Sequence, residues 1–235
     1  MEKLAERIGL FDLWAMFFPG TIGMLEILFF ICTFWSIYSK QSIFVVLQKI
    51  TFDSITVWII LILISLFLGI ILQEIGRWLR IKTKTSNATD IFLDPDSGIF
   101  IEKEIAILRS FLIQYGWDGK DQNCGKEIFH QINAKAQECG ISEKYAKLSA
   151  IQNMSVSLSA AMLLGSIASS LLIIISLLCR RWHIALFLAV IDLLCIFLIV
   201  LFFRRAKRFN RYWVRNLVFS MSEKMKVSKN EEKRN

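Results

Sequence analysis

The sequence predicts an all-α membrane protein with four transmembrane helices and a small cytoplasmic helical cap between helices two and three. Three observations carry that prediction. First, 55% of the 235 residues are hydrophobic and the mean hydropathy is +0.51, whereas a soluble domain is roughly 45–50% apolar; the excess must face lipid. Second, four stretches, 12–37, 55–78, 155–178 and 183–203, are long enough for a hydrocarbon core of about 30 Å, which needs roughly 20 mostly apolar residues. Third, the basic residues segregate. Lys3 and Arg7 precede the first span, eleven Lys and Arg lie from Arg77 to Lys147 and eleven from Arg204 to Arg234, against Lys40, Lys49, Arg180 and Arg181 elsewhere. Basic loops stay in the cytoplasm, so both termini and the middle loop are expected there and the protein in the inner or plasma membrane.

The first span opens "FDLWAMFFPGTIGMLEILFF" behind Glu2 and Glu6. With no small-residue cleavage site after a short apolar core, it is expected to be retained rather than removed as a signal peptide. It pairs with the second span in an N-terminal hairpin, residues 1–78, through a short interfacial connection at 39–54. Only "CRRWH" separates spans three and four, which forces a second antiparallel hairpin over 154–203. Tryptophan prefers the interface: Trp35, Trp58 and Trp182 fall at the outer ends of these spans and Trp14, Trp78 and Trp213 at the inner ones.

Residues 79–153 form the expected cap. A polar run, "KTKTSNATD", leads to a turn at "DPDSG", where Pro95 and Gly98 supply a fixed and a permissive backbone. Apolar residues at 101, 105, 108 and 112 have helical spacing, a second helix runs from about Lys126 to Glu138, and a third starts near Ser142 and continues into span three. Residues 204–235 read as a basic amphipathic helix followed by a disordered tail. Apolar residues at 206, 209, 213 and 217 share one face while Arg204, Arg205, Lys207, Arg208, Arg211 and Arg215 occupy the rest. Such a helix beside a span lies on the anionic inner leaflet, each basic residue adding about 1 kcal/mol, and lipid headgroups rather than nucleic acid are its expected partner.

No catalytic pattern is present. His130 and His183 are the two histidines, neither at metal-ligand spacing with Cys or a carboxylate. The five cysteines lack paired CxxC spacing and suit neither a disulfide framework nor a zinc site. Phosphate-cradling glycine loops and the Gly-x-Ser or paired-aspartate signatures of intramembrane proteases are missing. The sequons at Asn87 and Asn153 fall on the cytoplasmic side, where glycosylation does not occur. The expectation is a non-enzymatic protein without cofactor or metal.

Two features inside the spans stand out. Ser157, Ala161, Gly165 and Ser169 form a stripe of small residues at i, i+4 spacing, which lets helices approach closely in lipid, where no hydrophobic force joins them. Glu26 lies nine residues from Trp35 and Asp192 ten from Trp182, so at 1.5 Å per residue both sit roughly 14–15 Å below the outer interface. Ser65 and Gly69 of span two and Ser169 and Ser170 of span three fall at similar depth, and Pro19 and Gly20 permit a kink beside that layer. A charge there costs at least about 2.5–3.5 kcal/mol and faces the bundle interior or a water-filled path. Either both acids are protonated and hold the bundle together through hydrogen bonds, or they form a carboxylate relay on a cation or proton path.

The layout is similar to small multi-span components of bacterial multi-gene systems, including defence operons, by architecture alone. The expected function is an oligomeric membrane module, a regulated cation-permeable pore or channel-like effector that is a homo-oligomer. The alternative is a non-transporting membrane anchor that recruits a soluble cytoplasmic partner through residues 79–153.

Overall fold

The computed structural model describes residues 10–39, 41, 45, 55–82, 92–93, 102–114, 116, 122–138 and 142–232. The connection expected at 39–54, the "KTKTSNATD" run and the "DPDSG" turn lie almost wholly outside them. Among the described residues there is no strand. The helices are α1 Leu10–Ser39, α2 Ile55–Lys82, α3 Glu102–Gln114, α4 Gln122–Glu138, α5 Ser142–Leu178 and α6 Trp182–Glu232. Four of them, α1, α2, α5 and α6, are long and apolar enough to cross a membrane.

The chain divides into two compact units, one of Met1–Lys84 with Asn153–Ala206 and one of Thr85–Gln152 with Lys207–Asn235. The sequence-based division sets its boundaries elsewhere, near residues 78, 153 and 203. Helix α6 does not end near residue 203 to begin again as a separate amphipathic helix; it continues unbroken to Glu232, into the segment expected to be disordered, because "RRAKRFNRYWVRNLVFSM" contains no Gly or Pro to stop it. Its last part belongs to the second unit together with the middle segment. As expected, the helix that starts near Ser142 continues into the third span, making α5 one helix of 37 residues.

The first unit is held by backbone proximity. A Cβ added to Gly20 of α1 would stand 1.7 Å from the Ser65 carbonyl oxygen of α2, and one added to Gly69 of α2 would stand 1.9 Å from the Met16 carbonyl oxygen of α1. Only glycine permits this crossing. Gly76 of α2 meets α5 in the same way, with Val156 Cγ1 and O both 2.9 Å from its missing Cβ. Around these contacts Leu72 and Leu79 of α2 pack on Ala160 and Ala161 of α5, while Ile37, Leu172 and Leu188 join α1, α5 and α6. The opposite faces remain open to lipid: of the most apolar window of α2, and of α6, only 17% is buried. Hydroxyls within the spans bond back to their own helices, Thr33 to Phe29 O at 2.8 Å and Ser159 to Ser155 O at 3.0 Å, so they cost little in hydrocarbon.

The second unit has a conventional apolar core. Helix α4 presents Ile128, Ile132 and Ala136 one turn apart, and α6 presents Val214, Leu217, Val218 and Met221 at spacings of three and four residues. Phe129 sits at the center of an aromatic group, 5.1 Å from the Phe92 ring and 5.6 Å and edge-on to Trp213. The apolar face of residues 207–221, assigned from sequence to lipid, is therefore occupied by protein.

The hairpin between α5 and α6 closes through a Schellman turn. The Arg181 amide donates to Ser176 O at 2.7 Å and the Arg180 amide to Leu177 O at 3.0 Å, with Arg180 in the left-handed region at φ 56°. Glycine ordinarily fills that position, and a side chain there costs roughly 1–2 kcal/mol. Arg180→Gly is expected to stabilise the protein by about 1 kcal/mol, read as a higher denaturation midpoint in mild detergent. A lower midpoint would mean that the Arg180 side chain contributes more than its backbone conformation costs.

Candidate functional site: a polar layer within the spans

Helix α5 organises the site. Every residue from Ser155 to Met162 is buried, a condition few helices meet unless they are surrounded. The sequence makes it possible: Ser155, Ser157, Ser159, Ala160 and Ala161 give α5 a narrow girth that lets neighbours approach. Ser157, Ala161, Gly165 and Ser169 are all buried, so the stripe lies inside the unit and its contacts are within the chain. Ala161 packs in the cluster with Leu72 and Leu79 of α2. Gly165 faces α1.

What Gly165 accommodates is the Glu26 carboxylate. A Cβ on residue 165 would stand 3.0 Å from Glu26 Oε1 and 3.1 Å from its Cδ. Among the described residues none donates a hydrogen bond to this carboxylate or pairs with it. It forms part of the wall of a cavity of about 170 Å³ between α1, α2 and α5. The rest of that wall is apolar, including Phe30, Leu68 and Ala168.

The second acid is held differently. Asp192 of α6 is half-buried, and its Oδ1 accepts a hydrogen bond from Ser166 Oγ at 2.5 Å while Oδ2 accepts one from Ser170 Oγ at 3.4 Å. Ser166 and Ser170 are one helical turn apart on α5 and therefore share a face. Gly165 and Ser166, consecutive in sequence, thus present α5 to an acid from α1 and an acid from α6. Cys195 is buried one turn beyond Asp192 on α6.

The residues assigned to the layer from sequence do not all join it. Ser170 does. Ser169 faces away from Asp192, buried and with no hydrogen-bond partner among the described residues, because adjacent helical positions are about 100° apart and depth alone does not fix direction. Ser65 is occupied at the α1–α2 crossing, where its hydroxyl donates to Leu61 O at 2.8 Å and lies 3.5 Å from Met24 Sδ. Ser166 joins the layer without having been assigned to it, though its i, i+4 spacing with Ser170 is a legible signal.

The basic residues following span four present a polar exterior. Arg204, Arg205, Lys207, Arg208 and Arg215 are exposed and Arg211 half-buried, while Val214, Leu217 and Val218 fill the second unit's core. The expected amphipathy is real, but its apolar side is taken by α3 and α4. His130 is exposed. Among the described residues no group of three or more His, Cys, Asp or Glu side chains is placed to hold a metal ion.

Comparison with known protein families, curated proteins and solved structures finds no match.

Substitutions at Gly165 test this geometry. Gly165→Ala is expected to be tolerated, because the atoms it would press are the flexible end of Glu26. Gly165→Leu is expected to destabilise by about 1–3 kcal/mol, the usual cost of overpacking, seen as a lower thermal midpoint in mild detergent. Equal midpoints for Leu and the native protein would place position 165 on the lipid-facing side.

Proposed function

We propose that the protein is an oligomeric membrane module in which the Glu26 and Asp192 carboxylates form a cation- or proton-facing layer, a regulated pore or channel-like effector. The observation that supports this reading best is the Glu26 carboxylate: membrane-embedded, unpaired among the described residues and set in the wall of a cavity. Intramembrane acids are expensive and are usually found where ions or protons move. Helices α1, α2 and α5, packed through backbone contacts at Gly20, Gly69 and Gly76, leave no wide channel between them. Conduction therefore requires several copies, whose carboxylates would together form the ring that selects cations.

In this reading residues 79–153, a helical cap joined by the C-terminal part of α6, lie in the cytoplasm with both termini, and the cap receives a signal or partner. The charge distribution of the loops supports that orientation. The exposed arginines from Arg204 to Arg215 suit anionic headgroups of the inner leaflet, now by charge alone, since the apolar side of their helix is covered.

A second reading is favoured by a specific observation. Asp192 already has two serine donors, as expected of an acid that holds helices together, and the second unit, folded around its own apolar core, is a body that could recruit a soluble partner without any transport.

Reconstituted liposomes separate the two. The pore reading expects cation or proton flux in the native protein, and expects Glu26→Gln and Asp192→Asn each to lower it severalfold while leaving the melting temperature within a few degrees of native, because the fixed negative field is lost but the shape is kept. No flux from the native protein would leave the anchor reading standing, and native-level flux in both variants would remove the two carboxylates from the path.

A further inference from the structure

We propose that the cavity beside Glu26 binds a small lipophilic ammonium ion, with its hydrocarbon body against the apolar walls and its N–H groups on the Glu26 carboxylate. The inference deepens the functional reading and rests on it in one respect, that the Glu26 carboxylate is available to a cation.

The size fits a compact organic molecule. A cavity of about 170 Å³ is comparable with the roughly 150 Å³ apolar void that admits a benzene ring and stays dry when empty. The lining selects the chemistry. Phe30, Leu68 and Ala168 offer hydrocarbon contact, and among the described residues Glu26 is the one ionisable side chain in the wall. A dehydrated metal cation needs several oxygen ligands, about six to eight for calcium, and one carboxylate cannot supply them. A neutral apolar molecule would leave the carboxylate unpaired, at a substantial cost. An ammonium needs only an acceptor at one end and apolar contact elsewhere, and the Phe30 ring adds a surface that attracts cations.

The route in is also specified. Ile27, Ile71 and Leu164 line the cavity and are exposed on the outside of the helices, so the mouth opens toward hydrocarbon. A lipophilic amine concentrates there, while a hydrated inorganic ion does not.

The test uses the full chain in lipid nanodiscs, with empty nanodiscs subtracted, and fluorine NMR of 4-fluorobenzylammonium chloride as the probe. Saturable binding is expected, at least tenfold weaker for 4-fluorobenzyl alcohol, which has the same shape without the charge. Glu26→Gln is expected to weaken ammonium binding at least tenfold, and Ala168→Phe, which fills the cavity without touching the acid, to abolish it. No saturable binding, equal binding of the alcohol, or native affinity in either variant would overturn the proposal. Because the readout is binding, failure here is separate from failure of the flux experiment: a protein that binds the ammonium but conducts nothing loses the pore reading alone.

Discussion

In hydrocarbon there is no water to expel, so helices join only where their backbones can come close. Helix α5 is where that constraint is met most fully. Its segment from Ser155 to Ala161, five of seven residues Ser or Ala, is buried throughout, α2 touches it through Gly76 and Leu72, α1 reaches it at Gly165, and α6 is tied to it by Ser166 and Ser170. The α1–α2 crossing at Gly20 and Gly69 serves the same end, because it fixes the face of α1 that carries Glu26. Larger residues along α5 would separate the neighbours and dissolve the polar layer with them. Packing and chemistry in this protein are thus one problem, with Gly165 and Ser166 adjacent in the chain and each committed to a different acid.

The two acids differ in a way that bears on function. Asp192 has local donors and can remain in the bundle as a structural group. Glu26 has none among the described residues, faces a cavity and lies against a glycine that leaves it room. If one carboxylate of the pair serves a ligand or an ion, the geometry favours Glu26, with Asp192 holding α6 against the same helix.

Much of this was legible in the sequence, for reasons particular to membranes. Lipid allows a spanning backbone little choice but helix, so the apolar runs of α1, α2, α5 and α6 announced themselves by length. The acids stood out because they are costly where they are, and Gly165 because it completed a stripe of small residues. What was lost is directional. Ser169 and Ser170 have nearly the same depth, but only Ser170 turns toward Asp192, and Ser166 escaped notice because depth, not face, was the criterion. Ser65 has the right depth as well, yet it is taken by the contact with α1. The continuation of α6 to Glu232 was hidden by an amphipathic pattern that suits a membrane surface and a protein core equally: Val214, Leu217 and Val218 would serve either, and only the placement of Phe129 and Ile132 of α4 decides.

Asp192 and α5 are coupled through the serine face, and a double-mutant cycle measures that coupling. Stability of the native protein, Ser166→Ala, Asp192→Ala and the double variant would be compared by reversible denaturation in mild detergent or bicelles. The account predicts a coupling energy of about 0.6–1.7 kcal/mol, the range found for interhelical hydrogen bonds in membranes. Additive effects, with no coupling between positions 166 and 192, would contradict it.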